Sequence, residues 1–239
     1  VDFTVFGNPL PDWSEPAVVF VMKDANGNNL PDDTWYELAG SDYFFTSSTR
    51  NYEITYQNPG SAGASDVLWT DNLGESGSIP VVAGFEQPYY PLQDSFPQVP
   101  MNNYTLSGSL IAPIIDFSNP GNIKIRQRAF GYADNRFRGA APYTLPDNPY
   151  TREKENSGGD AFDINWAVDS AGNYVELDQV HFVKVQTAIN ANAGWLGEGS
   201  TEITGAVDVA PDPSVTGIQE MIVINDIPPV IDTTAYQLE

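Results

Sequence analysis

The sequence contains no cysteine and a single histidine. Without cysteine there are no disulfides, no thiolate nucleophile and no zinc site built on sulfur. An exported protein of this size without disulfides fits a bacterial origin better than a eukaryotic one. The lone histidine, His181, lies in a strand-like stretch, and no Gly-x-Ser-x-Gly elbow accompanies it, so a structural role is expected in place of a catalytic triad. Cations are scarce too. Ten lysines and arginines face 32 aspartates and glutamates, a formal net charge of -22. Such a surface repels phosphate backbones and anionic lipid head groups, which disfavours nucleic acid and membrane-surface binding. No apolar run approaches the ~20 residues that span a bilayer, and no phosphate loop or dinucleotide fingerprint is present. No signal peptide is visible and Val1 opens directly in a strand-like run, as in a mature chain whose targeting segment has been removed.

What is plentiful points to strands and turns. The 239 residues include 20 glycines and 19 prolines, with 12% aromatics and 41% hydrophobic residues, enough for a folded core cut into short strands. Val1–Phe6 and Tyr52–Tyr56 alternate apolar and polar residues, whereas Ala17–Met22 is a continuous apolar run suited to a core strand. Trp35–Leu38, Leu110–Phe117, Ile123–Phe130, Ala161–Val168, Val180–Ile189, Thr201–Val207 and Met221–Ile224 also read as strands. Ser170–Asn173 has the chemistry of a hairpin turn. Residues 58–109 and 131–159 read as long irregular loop insertions. No helical period of useful length and no repeat appear. The expectation is one all-β domain over 1–239, a β-sandwich or jelly roll of about ten strands.

The strongest chemical signal is Asp24–Asp33. Side-chain oxygens fall at loop positions 1, 3, 5 and 9 (Asp24, Asn26, Asn28 and Asp32), and position 7 offers the Leu30 carbonyl. This spacing wraps a short backbone around one Ca2+ ion. Position 6 is Asn29 instead of glycine, although asparagine tolerates the left-handed conformation needed there. Position 12 is Trp35, so the usual bidentate glutamate is missing and Asp33 or a distant residue has to close the shell. The flanking strands suit the calcium loops of dockerin and thrombospondin type 3 repeats better than a helical sensor. The alternative is a plain turn in which Asn and Asp side chains cap their own backbone. Calcium here implies a structural ion in extracellular fluid.

Seven of the ten basic residues lie between Lys124 and Lys154. Lys124, Arg126 and Arg128 alternate and so project from one strand face, and Arg136 and Arg138 follow among Phe130, Tyr132, Phe137, Tyr143 and Tyr150. Two readings stand: salt bridges with the abundant carboxylates, or a ligand face of arginine forks and aromatic platforms built from Arg126, Arg128, Tyr132, Arg136 and Arg138. Trp195 adds a second stacking wall or anchors its own loop. Asp160 and Asp163 either ligate a second cation or buttress a turn through backbone N–H groups.

The stretches Asp2–Asn8, Ser14–Ala17, Leu30–Gly40, Gly158–Ile164 and Ala193–Glu198 together resemble a group of Bacteroidetes proteins known as "cell surface protein", themselves similar to discoidin-like, galactose-binding-like jelly rolls. The likeness runs from Asp2 to about Val207. Asn29 departs from the glycine expected in the loop. The resemblance implies a secreted or outward-facing outer-membrane lipoprotein module, often beside carbohydrate-binding or immunoglobulin-like domains. The expected function is a calcium-stabilised module, not an enzyme, that captures a glycan or other small-molecule nutrient, with an outer-membrane transporter or another surface protein as partner. The alternatives are a structural or adhesive module that binds proteins, and a glycoside hydrolase, for which no carboxylate pair stands out.

Overall fold

The computed structural model describes residues 1–84, 86–137 and 159–209, and the backbone of 235–237. Its strands in chain order are β1 (Phe3–Gly7), β2 (Ala17–Met22), β3 (Trp35–Leu38), β4 (Thr49–Gln57), β5 (Val67–Asp71), β6 (Ser76–Ile79) and β7 (Asn103–Leu110). They continue as β8 (Ile115–Asp116), β9 (Lys124–Ile125), β10 (Asp160–Phe162), β11 (Ala167–Val168), β12 (Phe182–Thr187), β13 (Ile203–Asp208) and β14 (Ala235–Gln237). The described residues hold no α-helix, only 3-10 turns at Ile164–Trp166 and Gly194–Leu196. The sheets have strand orders β10-β1-β13, β11-β3-β2-β12-β14, β6-β5-β4-β7 and β8-β9, and neighbouring strands run antiparallel. The protein is an all-β sandwich.

Strand β2 shows why its sequence is apolar at every position. Ala17, Val19 and Val21 point into a core shared with Phe3, Val5 and Phe162 of the three-stranded sheet. Val18 and Phe20 point the other way, toward Ile111, Ile123 and Ile125. A strand covered on both faces loses its polar alternation. Each of these buried aliphatic or aromatic side chains stabilises the fold by roughly 1.5–3 kcal/mol. The five-stranded sheet is therefore a middle layer, and its β2–β3 connection, Lys23–Thr34, carries the Asp/Asn loop out into solvent.

The four-stranded sheet has one dry face. Tyr52, Ile54 and Tyr56 of β4 meet Tyr104 and Leu106 of β7 in register, with Ile54 opposite Leu106 and Tyr56 opposite Tyr104. Residues 58–109, expected to be irregular, thus contain β5, β6 and most of β7. Strand β6 hid because Ser76–Ile79 buries only Ile79, and its Gly77 is covered by the Trp69 ring from across the ladder. The rest of that stretch behaves as expected: it crosses the dry face without strands and seals it with Tyr89, Tyr90 and Val99. Gly108 lets this sheet approach the middle layer, since a Cβ there would stand 2.8 Å from the Phe20 ring.

Three other expected strands shrink. Leu110–Phe117 and Ile123–Phe130 supply only the short β8–β9 ladder beyond the end of β7, and Ala161–Val168 is split by the Ile164–Trp166 turn. Ser170–Asn173 does turn tightly, closing a bridge between Val168 and Tyr174. Met221–Ile224, Arg138, Tyr143, Tyr150 and Lys154 lie outside the described residues.

Candidate functional site: a carboxylate loop, a basic segment and an exposed aromatic cluster

The Asp24–Asp33 loop is organised by its own side chains. Asp24 Oδ1 accepts from the Gly27 and Asn28 N–H groups (2.7 and 3.2 Å), and its Oδ2 accepts from the Asn29 N–H (2.9 Å). Asp33 Oδ2 accepts from the Ala25 and Asn26 N–H groups (2.8 and 3.3 Å). Asn26 Oδ1 and Asn28 Oδ1 accept from the N–H two residues on, and both amide Nδ2 groups donate to Asp32. Asn29, at position 6, adopts φ 59°, the left-handed conformation that position requires. The Asn29 N–H first, then those of Gly27 and Asn28, together with nearby His181, hold the Asp24 carboxyl below its ordinary range. His181 Nδ1 accepts from the Asp24 N–H (3.0 Å), so the single histidine anchors the base of the loop.

The donor set is of the right kind for calcium. Asp24 Oδ1 and Asp33 Oδ2 each accept two N–H groups, whereas Asp24 Oδ2, Asn26 Oδ1 and Asn28 Oδ1 accept one and keep a further lone pair for an ion. Three carboxylates share this short loop, and among the described residues no lysine or arginine pairs with them; adjacent Lys23 pairs instead with Asp178 (2.7 Å). No three acidic or histidine side chains among the described residues form a metal-holding cluster. Calcium here would therefore draw on amide and carbonyl oxygens as well. It would also displace the Asn amides from Asp32. Trp35, at position 12, packs against the core and closes nothing.

The basic segment is tied into the protein. Lys124 and Arg126 both reach Asp12 (2.7 and 3.1 Å), and Arg126 also reaches Asp116 (3.0 Å). Arg128 turns inward to a buried pair with Asp42 (2.8 Å), beside the fully buried Tyr132, whose Oη accepts from the Asp42 N–H. The expected common face is lost because β9 ends at Ile125, before Arg126 and Arg128. Half-buried Arg136 donates through Nη1 to the Ala129 carbonyl (3.2 Å). Trp195 is 48% exposed, and its indole N–H donates to the Pro120 carbonyl (2.7 Å). Among the described ligand candidates, Arg128 and Tyr132 are brought together, in the interior at Asp42. Asp160 and Asp163 act on backbone: Asp160 Oδ2 accepts from the Asn135 and Arg136 N–H groups, and Asp163 caps the 3-10 turn through the Asn165 N–H.

Two features escaped sequence reading. The first is a buried acidic node. Asp134 is fully enclosed at φ 50°, and its two oxygens accept from the Asn8 and Glu202 N–H groups (2.9 Å each). Burial above all, with the Asp160 and Glu202 charges adding, pushes its carboxyl up to about 8. Glu15 is raised well above its ordinary range by burial, then by Asp134 and Glu202. The available signal was Gly7, whose missing Cβ leaves room for the Asp134 carboxylate, 2.3 Å from where that carbon would stand. The second is a cluster of exposed rings: Phe44 (54% exposed), Phe45 (58%) and Tyr174 (66%). Its signal was the run Tyr43–Phe45 inside a Gly/Ser/Thr turn, where rings have no strand period to follow.

Comparison with known proteins finds no family model that matches the chain and no curated protein significantly similar to it.

Proposed function

We propose that this protein is a calcium-stabilised extracellular binding module that captures a glycan or other nutrient ligand and performs no chemistry on it. The observation that carries the reading is the Asp24–Asp33 loop. Two carboxylates, Asp24 and Asp32, and two Asn carbonyls sit at calcium-loop spacing with Asp33 next in the chain, the sixth position is left-handed, and no described lysine or arginine neutralises them. Calcium at extracellular millimolar levels supplies that charge, which makes the ion a structural part of the loop. The cell-surface placement and the nutrient ligand follow from the resemblance together with an acidic, cysteine-free composition.

Calcium titration followed by calorimetry tests the ion directly. One site is expected in the wild type, and none in Asp24→Asn or in the paired Asp32→Asn, Asp33→Asn variant. Equal heats in wild type and variants would remove the loop from the account.

A further inference from the structure

The exposed rings come from two separate turns that the fold locks side by side. Phe44 belongs to the turn after β3, where the Tyr43 N–H donates to the Gly40 carbonyl, Phe45 to Asp42 and Ser48 to Phe45. The base of that turn is clamped by the Arg128–Asp42 pair and by the Ser48 hydroxyl on the Asp42 carbonyl. Tyr174 leaves the second turn, in which Asp169 Oδ1 accepts from the Ala171 and Asn173 N–H groups. Asn51 of β4, the strand that follows the first turn, donates through Nδ2 to the Ser170 carbonyl of the second. Asn51 sits at φ 52°, where the β4–β7 register shifts between Thr49 and Tyr52. A register irregularity of this kind re-aims a side chain. Here it sends Arg50 over the Tyr43 ring (5.7 Å) and against Gly172, where a Cβ would stand 2.4 Å from Nη1.

The rings of Phe44 and Tyr174 lie 6.0 Å apart, tilted by 53°, and Phe44 in turn meets the edge of Tyr43, over whose ring Arg50 lies. Among the described residues Arg50 is in no ion pair with a carboxylate. Beside the rings in sequence, Thr46, Ser47, Asn173 and Glu176 are exposed and polar, and the aliphatic neighbour Val175 packs against the core. Three rings without surrounding aliphatic surface make a poor protein interface, which takes about 800 Å² from each partner. A pyranose fits better: its C–H face stacks on aromatic rings while its hydroxyls meet guanidinium and amide donors. The rigid turns remove most of the ordering cost of binding.

We propose that Phe44, Tyr174 and Arg50, with Phe45 alongside, form a glycan-binding platform. This rests on the binding-module reading above and assigns its ligand face to these residues in place of Arg126, Arg136 and Trp195. The test is retention of the calcium-loaded full chain on immobilised β-glucan, α-mannan, xylan, mucin O-glycans and polygalacturonate, the last separating acidic from neutral sugars at Arg50. Wild type is expected to bind at least one polymer. Phe44→Ala and Tyr174→Ala should each weaken that binding about tenfold, and Tyr174→Trp, which keeps a ring, should retain it. All three should keep wild-type melting and calcium response. If the Phe44→Ala, Tyr174→Ala double variant binds as wild type does, the platform is wrong and the ligand face lies elsewhere, with glycan capture intact. If wild type binds none of the five polymers, glycan capture and the platform fall together while the calcium loop stands.

Discussion

Arg128 and Asp134 show how much of this protein's charge is spent inside it. Arg128 pairs with Asp42 where both side chains are nearly enclosed, so Arg128→Ala strands a buried carboxylate. The expected loss is about 3–5 kcal/mol of stability by chemical denaturation, and Arg128→Lys should recover only part because a lysine lacks the second arm that reaches the Ala112 carbonyl. Asp134 titrates with the opposite sense to a paired surface carboxylate. Its folded pKa, about 8, lies above its ordinary 3.8, so the folded state binds its proton more tightly. That contribution is full below about pH 4 and is lost as pH rises through 8. Glu37, pushed up to about 7 chiefly by burial, adds the same slope. Asp24, Asp116, Asp169 and Asp178 are lowered and lose their contribution only at acid pH. The melting temperature should therefore rise as pH falls from 8 to about 5 and drop again below about 4. Asp134→Asn should flatten the upper part of that profile; an unchanged slope in this variant would assign the effect to the net charge instead.

At the scale of elements, sequence legibility followed burial. Ala17–Met22 and Trp35–Leu38 were readable to the residue because a strand buried on both faces, or paired with one, has no freedom to mix its composition. Strands β5 and β6 were not, since their stability comes from pairing with β4 and from the Trp69 ring over Gly77, and neither leaves a periodic trace. The Asp24–Asp33 turn was legible down to the left-handed Asn29, because backbone conformation is local. The aromatic cluster was not, because Phe44 and Tyr174 are distant in sequence and only the fold brings them together. In the basic segment salt bridging was one of the two readings, but its partners Asp12, Asp42 and Asp116 are invisible to a strand-face argument. Gly108 gives an element-scale test. Gly108→Val pushes a side chain into the Phe20 ring and should cost about 1–3 kcal/mol by separating the β4–β7 sheet from the middle layer, read by urea unfolding. Gly74→Val, at an open position with φ 87°, strains only its own turn and should leave that packing unchanged.

For the whole molecule, a net charge of -22 means that folding gathers carboxylates against their mutual repulsion. Part of that repulsion is offset at the buried Asp134 node, where burial raises the carboxyls and makes them hold their protons more tightly, and part by the ion pairs of Lys23, Lys124, Arg126 and Arg128. The Asp24–Asp33 loop is left with neither device, and a bound calcium ion is what the account assigns to it. Thermal unfolding in millimolar calcium, in millimolar magnesium and in chelator is the direct measurement. At calcium a hundredfold above its dissociation constant the gain is about 2.7 kcal/mol, a rise of roughly 5–10 °C for a chain of this size. The account predicts that rise with calcium, a smaller one with magnesium, and none with either ion in Asp24→Asn. Equal melting temperatures in calcium and chelator, or a calcium response that survives Asp24→Asn, would contradict it.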